Sequence, residues 1–192
     1  MTRKLTLIAL ASLFALALTL LILGSSKAAG PKLGCKPYQL SVQTGQTFYF
    51  TVYVTDTVDL YAWQFDMSFT PAYLEFVKIL PGYHLRRDGT AFYLVEPIST
   101  TGEIQLAAFT RLSEDVGIDG SGAIAHIFFK AKSQTSASGT TSASFNEPLL
   151  VDRNALDLSY GVNSSCKVNI RDSNPLLVQP SLEDLYLPIM VR

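Results

Sequence analysis

The sequence is poor in the residues that most enzymes use for catalysis. It contains only two histidines, His84 and His126, and it has no HExxH metal-binding pattern, no GxSxG nucleophile pattern and no glycine-rich phosphate loop. Neither histidine has a partner nearby in the sequence, so each is interpreted as a surface or rim side chain. The acids inside predicted strands, Asp66 and Glu75, fall on or near different faces, which does not support the carboxylate pair of a glycosidase. The sequence therefore predicts a protein that is not an enzyme.

The first 29 residues contain no acid and have the pattern of an export signal. Arg3 and Lys4 precede an uncharged, apolar run from Leu5 to Leu23, and small residues follow at Ala28 and Ala29. The segment is either a signal peptide cleaved after one of these alanines or an uncleaved anchor, since the run is long enough to cross a hydrocarbon core of about 30 Å. Both alternatives predict a secreted, extracellular or cell-surface protein, with membrane contact only through this segment if it is uncleaved.

Positive charge is scarce in the rest of the chain. Beyond residue 29 there are twelve basic and sixteen acidic residues, a net charge of −4. Nucleic-acid binding requires a clustered positive field, and no basic cluster stands out in the sequence, so a nucleic-acid partner is not expected. About 160 residues remain after the export segment, which is enough for one domain with a substantial core.

Cysteine is equally scarce, and the two that occur, Cys35 and Cys166, bracket the domain. Outside the cytoplasm such a pair is predicted to form a disulfide. In the chain-entropy description, closing a loop of this length stabilises the fold by about 4 to 5 kcal/mol, provided that the first and last strands lie side by side.

Long helical periodicity is absent after the export segment, and alternation with a period of two recurs between clusters of turn-forming residues. Large apolar side chains share one face of each predicted strand, which requires a second sheet to cover them. This pattern predicts a β-sandwich of nine or ten strands. The predicted strands are 38–43, 48–54, 60–69, 74–80, 91–95, 104–110, 123–131, 142–146, 155–160 and 162–170. Trp63 lies on the apolar side of its strand and is predicted to belong to the core.

Two further segments have a distinct character. Residues 171–192 form a tail with two prolines and an apolar stretch, Leu185–Val191, which is too short to cross a membrane and is expected either to pack as an extra strand or to serve in sorting or attachment. Glu114, Asp115 and Asp119 lie close together in a predicted loop and are a candidate Ca²⁺ site, but their spacing is not that of an EF-hand, and a solvated acidic turn fits better. No other metal or cofactor is predicted.

Three segments in order resemble the cohesin domain family. The first is a hydrophobic strand that ends in an aromatic residue and continues into Pro71, then Leu74 and Glu75; the second is the loop glycine Gly82; the third is the strand Gly122–Ile127. The match extends from about Tyr38 to Ile170. It implies a nine-stranded jelly-roll β-sandwich over residues 30–170, preceded by the N-terminal signal or apolar helix and followed by the tail.

The resemblance also implies a function, which is docking of a dockerin, a small calcium-binding helical module, in extracellular complexes linked to polysaccharide degradation. The family's Asn and Asp contacts on the strand before the proline fall on Ala62 and Gln64, and an acidic contact falls on Arg111, so the docking surface is altered. The residues expected to contact the partner are Gln64, Asp66 and Arg111.

Two other functions remain open at this point. Tyr49 and Tyr53 form an outward-facing stripe with Thr51, and exposed aromatic rings flanked by hydrogen-bonding groups are typical of polysaccharide binding. Aromatic and β-branched residues also pair well across strands without any ligand. The remaining alternative is a structural cell-envelope protein that binds nothing small.

Overall fold

The computed structural model describes residues 30–112, 116–136, 139–162 and 165–172. In these residues the chain forms eleven strands and one 3₁₀ helix, and no helix is long and apolar enough to span a membrane. The strands are β1 Lys32–Lys36, β2 Gln39–Gln43, β3 Thr47–Phe69, β4 Leu74–Pro81, β5 Phe92–Val95, β6 Ile98–Thr100, β7 Glu103–Arg111, β8 Ile118–Ala131, β9 Thr141–Asp152, β10 Gly161–Val162 and β11 Ser165–Arg171. The 3₁₀ helix is His84–Arg86. The predicted export segment lies outside the described residues.

The long strand β3 belongs to two sheets. Its first half pairs with β1 and β8, and its second half pairs with β7 and β9. Between the halves the pairing register shifts, and Asp56 and Asp59 have positive φ angles of 53° and 56°. These irregularities turn the chain from one sheet into the other, because a bulge bends its strand and increases the local twist.

The result is a β-sandwich of two sheets. The back sheet has the strand order β10–β1–β3–β8–β4, and the front sheet has the order β2–β11–β9–β3–β7, with β5 and β6 both paired to the free edge of β7. The all-β prediction is confirmed. The count of nine strands is not: the described residues contain eleven. Strands β1 and β6 were not predicted and residues 162–170 are divided into β10 and β11, whereas 48–54 and 60–69 form the single strand β3.

One predicted strand is absent. Residues 155–160 form only an isolated bridge, between Asp157 and Val151, because the preceding turn at Asp152 bonds the segment to itself. The Asp152 carboxylate accepts hydrogen bonds from the backbone N–H groups of Asn154 and Leu156. A side chain that satisfies local backbone donors in this way competes with strand pairing.

The core lies between the two sheets and follows the predicted alternation. Phe48, Phe50, Val52 and Val54 point inward from the first half of β3 and are almost fully buried. In the second half Trp63 stacks on Phe65 and Phe109, with centroid distances of 4.9 and 6.0 Å. Trp63 is therefore a core residue, as its place in the sequence predicts.

The disulfide between Cys35 and Cys166 is confirmed, with 5.4 Å between the Cα atoms. Cys35 is in β1 of the back sheet and Cys166 is in β11 of the front sheet. The first and last predicted strands do lie side by side, since β2 runs parallel to β11 from Gln39 opposite Lys167 to Gln43 opposite Arg171. The bond therefore ties the two sheets together at the ends of the domain.

The surface assignment of His84 is wrong. This histidine lies in the 3₁₀ helix and is only 3% exposed, with its Nε2 3.4 Å from the hydroxyl oxygen of Thr57. The helix can lie on β8 because residue 122 is glycine: a Cβ at that position would collide with the His84 ring. Burial, with a smaller contribution from the charge of Arg87, lowers the pKa of His84 to about 4.

Candidate docking face

The outer side of the front sheet presents two aligned rows of side chains from four strands. Cross-strand pairing puts residues of β9, β3, β7 and β5 next to one another in each row. The first row is Val151, Ala62, Thr110 and Tyr93, and the second is Leu149, Gln64, Ala108 and Val95. These eight residues are called the docking face below.

The docking face is apolar, open and almost free of charge. Tyr93 is 60% exposed and Leu149 is 39% exposed, although both are large and apolar or aromatic. Between them the eight side chains surround a shallow depression of about 190 Å³. Gln64 and Thr110 are the polar members. Large exposed apolar patches on soluble proteins mark interaction sites, because keeping such a surface in water has a free-energy cost.

Asp66 lies beside the docking face, one alternate position further along β3 than Gln64. Its Oδ1 accepts a hydrogen bond of 2.8 Å from the backbone N–H of Leu106, whose φ of 57° marks a bulge in β7. The carboxylate therefore satisfies the donor that the bulge removes from the strand ladder. Asp66 and Gln64 are brought together by the structure, on one side of one strand.

Arg111 is not on the docking face. Its side chain is 2% exposed, and its guanidinium donates to both carboxylate oxygens of Asp88 and to the carbonyl oxygen of Leu85. A hydrogen bond from Arg111 is the main reason that the pKa of the Asp88 carboxyl is well below its usual range. A direct partner contact by Arg111 stays a prediction, and it would require the guanidinium to leave this buried pair.

The same ion pair positions one side of the docking face. Asp88 and Thr90, which both accept from Arg111, directly precede β5. In the strand pairing, Arg111 of β7 is also the residue opposite Phe92, which is the first residue of β5. Arg111 thereby holds the segment that brings Tyr93 and Val95 beside β7.

Sequence reasoning did not find Tyr93, Val95, Leu149 or Val151 as members of the site. Each lies on a predicted or observed strand, at a position where an apolar side chain faces outward. The detectable signal was this excess of apolar residues on both faces of β5 and β9, although only the strand order shows that the four residues meet.

The two tyrosines of the alternative carbohydrate site lie on the opposite side of the sandwich. Tyr53 is covered by Lys36, whose Nζ lies 3.4 Å from the ring centroid. Tyr49 packs against His126 and Phe128, at centroid distances of 5.7 and 5.2 Å. Polysaccharide binding through these tyrosines stays a prediction, and the structure gives Tyr53 no open ring face on the side that Lys36 covers.

The candidate calcium residues are only partly described. Glu114 and Asp115 lie outside the described residues, whereas Asp119 uses its Oδ1 to accept a hydrogen bond from the backbone N–H of Asp59. Within the described ranges, no group of three or more histidine, cysteine or acidic side chains is placed to hold a metal ion.

The cohesin domain family model matches residues 37–170, which is more than half of the chain. The chain belongs to the cohesin family. A comparison with curated proteins found no match. The family assignment agrees with the resemblance seen in the sequence, and the structure explains one element of that resemblance: a Cβ at Gly82 would collide with the backbone carbonyl of Ala123 in β8.

Solved cohesin structures share the fold at low sequence identity. A cohesin from Clostridium acetobutylicum is 21% identical, with 79% of this chain and 97% of that chain covered and a TM-score of 0.59. A cohesin in a type I cohesin–dockerin complex from Clostridium thermocellum is 13% identical, with 77% and 97% covered and a TM-score of 0.59. A non-cellulosomal cohesin from the archaeon Archaeoglobus fulgidus is also 13% identical, with 74% and 92% covered and a TM-score of 0.57.

Proposed function

We propose that this cohesin is a secreted, non-catalytic docking module that binds a dockerin-like helical module of another secreted protein through the docking face. The observation that carries the proposal is the position of Ala62 and Gln64. The sequence resemblance assigns partner contacts to these two residues, and in the structure they lie side by side in the centre of an exposed apolar face. The organisation proposed for the chain is an export segment at 1–29, the docking domain at 30–170 and a tail at 171–192.

The solved relatives support this choice of partner. Several of them are described as cohesin–dockerin complexes, including the Clostridium thermocellum complex and one between a cohesin of scaffoldin B from Acetivibrio cellulolyticus and a Cel5 dockerin. The link to polysaccharide degradation comes from the family resemblance and is part of the proposal.

The chemistry of the face specifies what kind of dockerin-like module it would bind. Ala62 and Gln64 replace the amide and the acid of the family pattern, respectively, so a partner that relies on hydrogen bonds to those groups would bury unsatisfied donors. A partner helix with apolar side chains would instead bury Leu149, Val151 and Tyr93, at about 25 cal/mol per Å² of apolar area. Because the eight residues of the face are uncharged, binding is expected to vary little with salt concentration.

The test is a binding measurement against dockerin-type modules encoded by the organism that produces the chain, by surface plasmon resonance on the immobilised modules. Ala62→Arg puts a charged side chain in the centre of the face and is expected to reduce binding at least 100-fold. Ser142→Arg, on the same side of β9 but away from the face, is the matched control and is expected to bind like the wild type.

The proposal fails if no dockerin-type module binds, or if Ala62→Arg and Ser142→Arg bind equally well. Thermal unfolding of both variants checks that they are folded, since both positions are only partly buried and lie on outer sheet surfaces. Loss of binding in Ala62→Arg with an unchanged midpoint would assign the contact to the docking face rather than to stability.

A further inference from the structure

The outer side of the back sheet is positively charged, although the whole chain has a net charge of −1. Lysines point outward from three strands of this sheet. They are Lys32 and Lys36 in β1, Lys130 in β8 and Lys78 in β4. One acid, Glu75, lies opposite Lys130. Among the described residues, none of the four lysines forms an ion pair with a carboxylate. This surface, made by β1, the first half of β3, β8 and β4, is called the basic face below.

Two of the lysines are held over aromatic rings at opposite sides of the basic face. Nζ of Lys36 lies 3.4 Å from the Tyr53 ring centroid, and Nζ of Lys78 lies 5.2 Å from that of Phe128. A cation over a ring face is attracted by the ring's negative potential, which restricts the ammonium group without neutralising its charge. Both ammonium groups are therefore positioned and still able to bind an anion.

Uncharged hydrogen-bonding groups occupy the strands between these lysines. Thr51 and His126 are cross-strand neighbours, with 3.0 Å between the hydroxyl oxygen and Nδ1, and the Tyr49 ring lies edge-on to the imidazole. Burial and the charge of Arg86 lower the pKa of His126, so its ring is neutral at pH 7. The basic face thus has cations at its sides and neutral polar groups along its centre.

The face has little of what protein partners require. The centre of a protein–protein interface is built on apolar and aromatic anchors. In β1, in residues 47–55 of β3 and in residues 122–130 of β8, all within the described part of the chain, no large apolar side chain is exposed, and β4 adds only Val77, which is 46% exposed at the bulge of that strand. The charge selects an anionic ligand, and the neutral hydroxyl and imidazole groups suit a ligand rich in hydroxyls.

The separation of the two held lysines specifies the size of that ligand. Lys36 and Lys78 are on the first and last of four adjacent strands, β1, β3, β8 and β4. Three inter-strand spacings and an offset of two residues along the strands correspond to about 16 Å between their backbones. A single sugar or a free anion cannot contact both, whereas an extended polymer lying across the strands can.

We propose that the basic face binds a carboxylated polysaccharide, with its carboxylates on Lys36 and Lys78 and its hydroxyls on Thr51, His126 and the tyrosines. This site does not depend on the proposed docking of a protein partner, since it lies on the other sheet. In this proposal Tyr53 positions the ammonium group of Lys36 and does not stack on a sugar ring.

The test is affinity electrophoresis of the full chain in gels that contain polygalacturonate or alginate, with fully methyl-esterified polygalacturonate as the uncharged match. We expect retardation by at least one of the two acidic polymers and none by the ester. The double variant Lys36→Gln/Lys78→Gln is expected to bind at least tenfold more weakly. The control Lys167→Gln/Arg171→Gln removes the same charge from β11 of the front sheet and is expected to change the affinity less than twofold.

Several outcomes would overturn the proposal: no retardation by either acidic polymer, equal retardation by the ester, or equal losses in the two double variants. Poly-glutamate that binds as tightly and with the same lysine dependence would assign the face to acidic peptides and refute the polysaccharide. Ala62→Arg should leave polygalacturonate binding unchanged, so failure of the docking proposal and failure of this one can be told apart. Thermal midpoints of all variants confirm that they remain folded.

Discussion

Removal of the Cys35–Cys166 disulfide is expected to cause a large loss of stability. The perturbation is Cys35→Ala/Cys166→Ala, which opens a covalent loop with a sequence separation of 131 residues. In the chain-entropy description a loop of this size restricts the unfolded chain by about 5 kcal/mol. The Cα separation of 5.4 Å is usual for a disulfide, so the backbone need not move when the bond is removed.

The measured loss of stability is expected to be at or below that value. Residual structure in the unfolded state reduces the measured effect, which favours a loss of about 3 to 5 kcal/mol in the free energy of unfolding. Typical domains are stable by only about 5 to 15 kcal/mol. The variant is therefore expected to retain the sandwich at 25 °C with a small remaining stability.

The assay is equilibrium unfolding in urea at pH 7, followed by the fluorescence of Trp63, which is buried in the core. Three samples are compared: the oxidised wild type, the wild type in reducing agent and the double alanine variant. The reduced wild type and the variant should agree, and both should have a larger m value than the oxidised protein, because their unfolded chains expose more surface. A loss smaller than about 1 kcal/mol, or a reduced wild type as stable as the oxidised one, would refute the loop-closure argument.

Three further predictions concern buried groups. Arg111→Met breaks the ion pair with Asp88 and is expected to lower the free energy of unfolding, measured in denaturant, by about 2 to 3 kcal/mol. This is at or below the low end for a buried pair, because Asp88 is 41% exposed and can be hydrated. An unchanged free energy of unfolding would contradict the role of Arg111 in holding the segment before β5. Gly82→Ala should destabilise the fold by about 2 kcal/mol or more and lower the thermal midpoint by several degrees, because the added Cβ collides with the backbone of β8. Gly161→Ala should not, because its Cβ would make only a van der Waals contact with the Lys32 side chain. Equal midpoints for the two variants would contradict the collision. The pKa of His84 is about 4 in the folded chain and 6.5 when unfolded, so its contribution to stability is fully present above pH 6.5 and roughly 3 kcal/mol is lost as the pH falls toward 4. Denaturant unfolding as a function of pH should show a smaller decline in His84→Gln than in the wild type. Identical pH profiles for the two proteins would contradict this prediction.

The sequence was sufficient to predict the features that depend on local alternation. Every second side chain from Phe48 to Val54 and from Trp63 to Met67 points to the core, because side chains on a strand alternate between faces, and that rule needs no knowledge of which strands are neighbours. The Cys35–Cys166 bond was also predictable, since two cysteines allow only one pairing. Family membership was predictable from three short segments in the correct order.

Features that depend on which segments lie next to each other in the fold could not be predicted from the sequence. Arg111 is on a strand and charged, so the sequence placed it at the surface, and its burial depends on Asp88 and the Leu85 carbonyl of a loop that returns to β7. His84 is buried because glycine at position 122 leaves room for its ring. Tyr93 and Leu149 meet on one face through strand order alone. The alternation of apolar residues specifies which side of a strand is inside, but it does not specify what lies beside that strand.

The two outer surfaces of the sandwich differ in a way that follows from β3. This strand contributes Ala62 and Gln64 to the front sheet and Tyr49, Thr51 and Tyr53 to the back sheet, so both proposed sites are built on one continuous strand but face away from each other. The docking face is apolar and uncharged, and the basic face is polar and positively charged. Since the core separates them and they share no side chain, their free energies of binding should add, and a protein partner and an anionic polymer should bind at the same time. A module with these two surfaces would hold a docked protein against a carboxylated polysaccharide, which neither surface achieves alone.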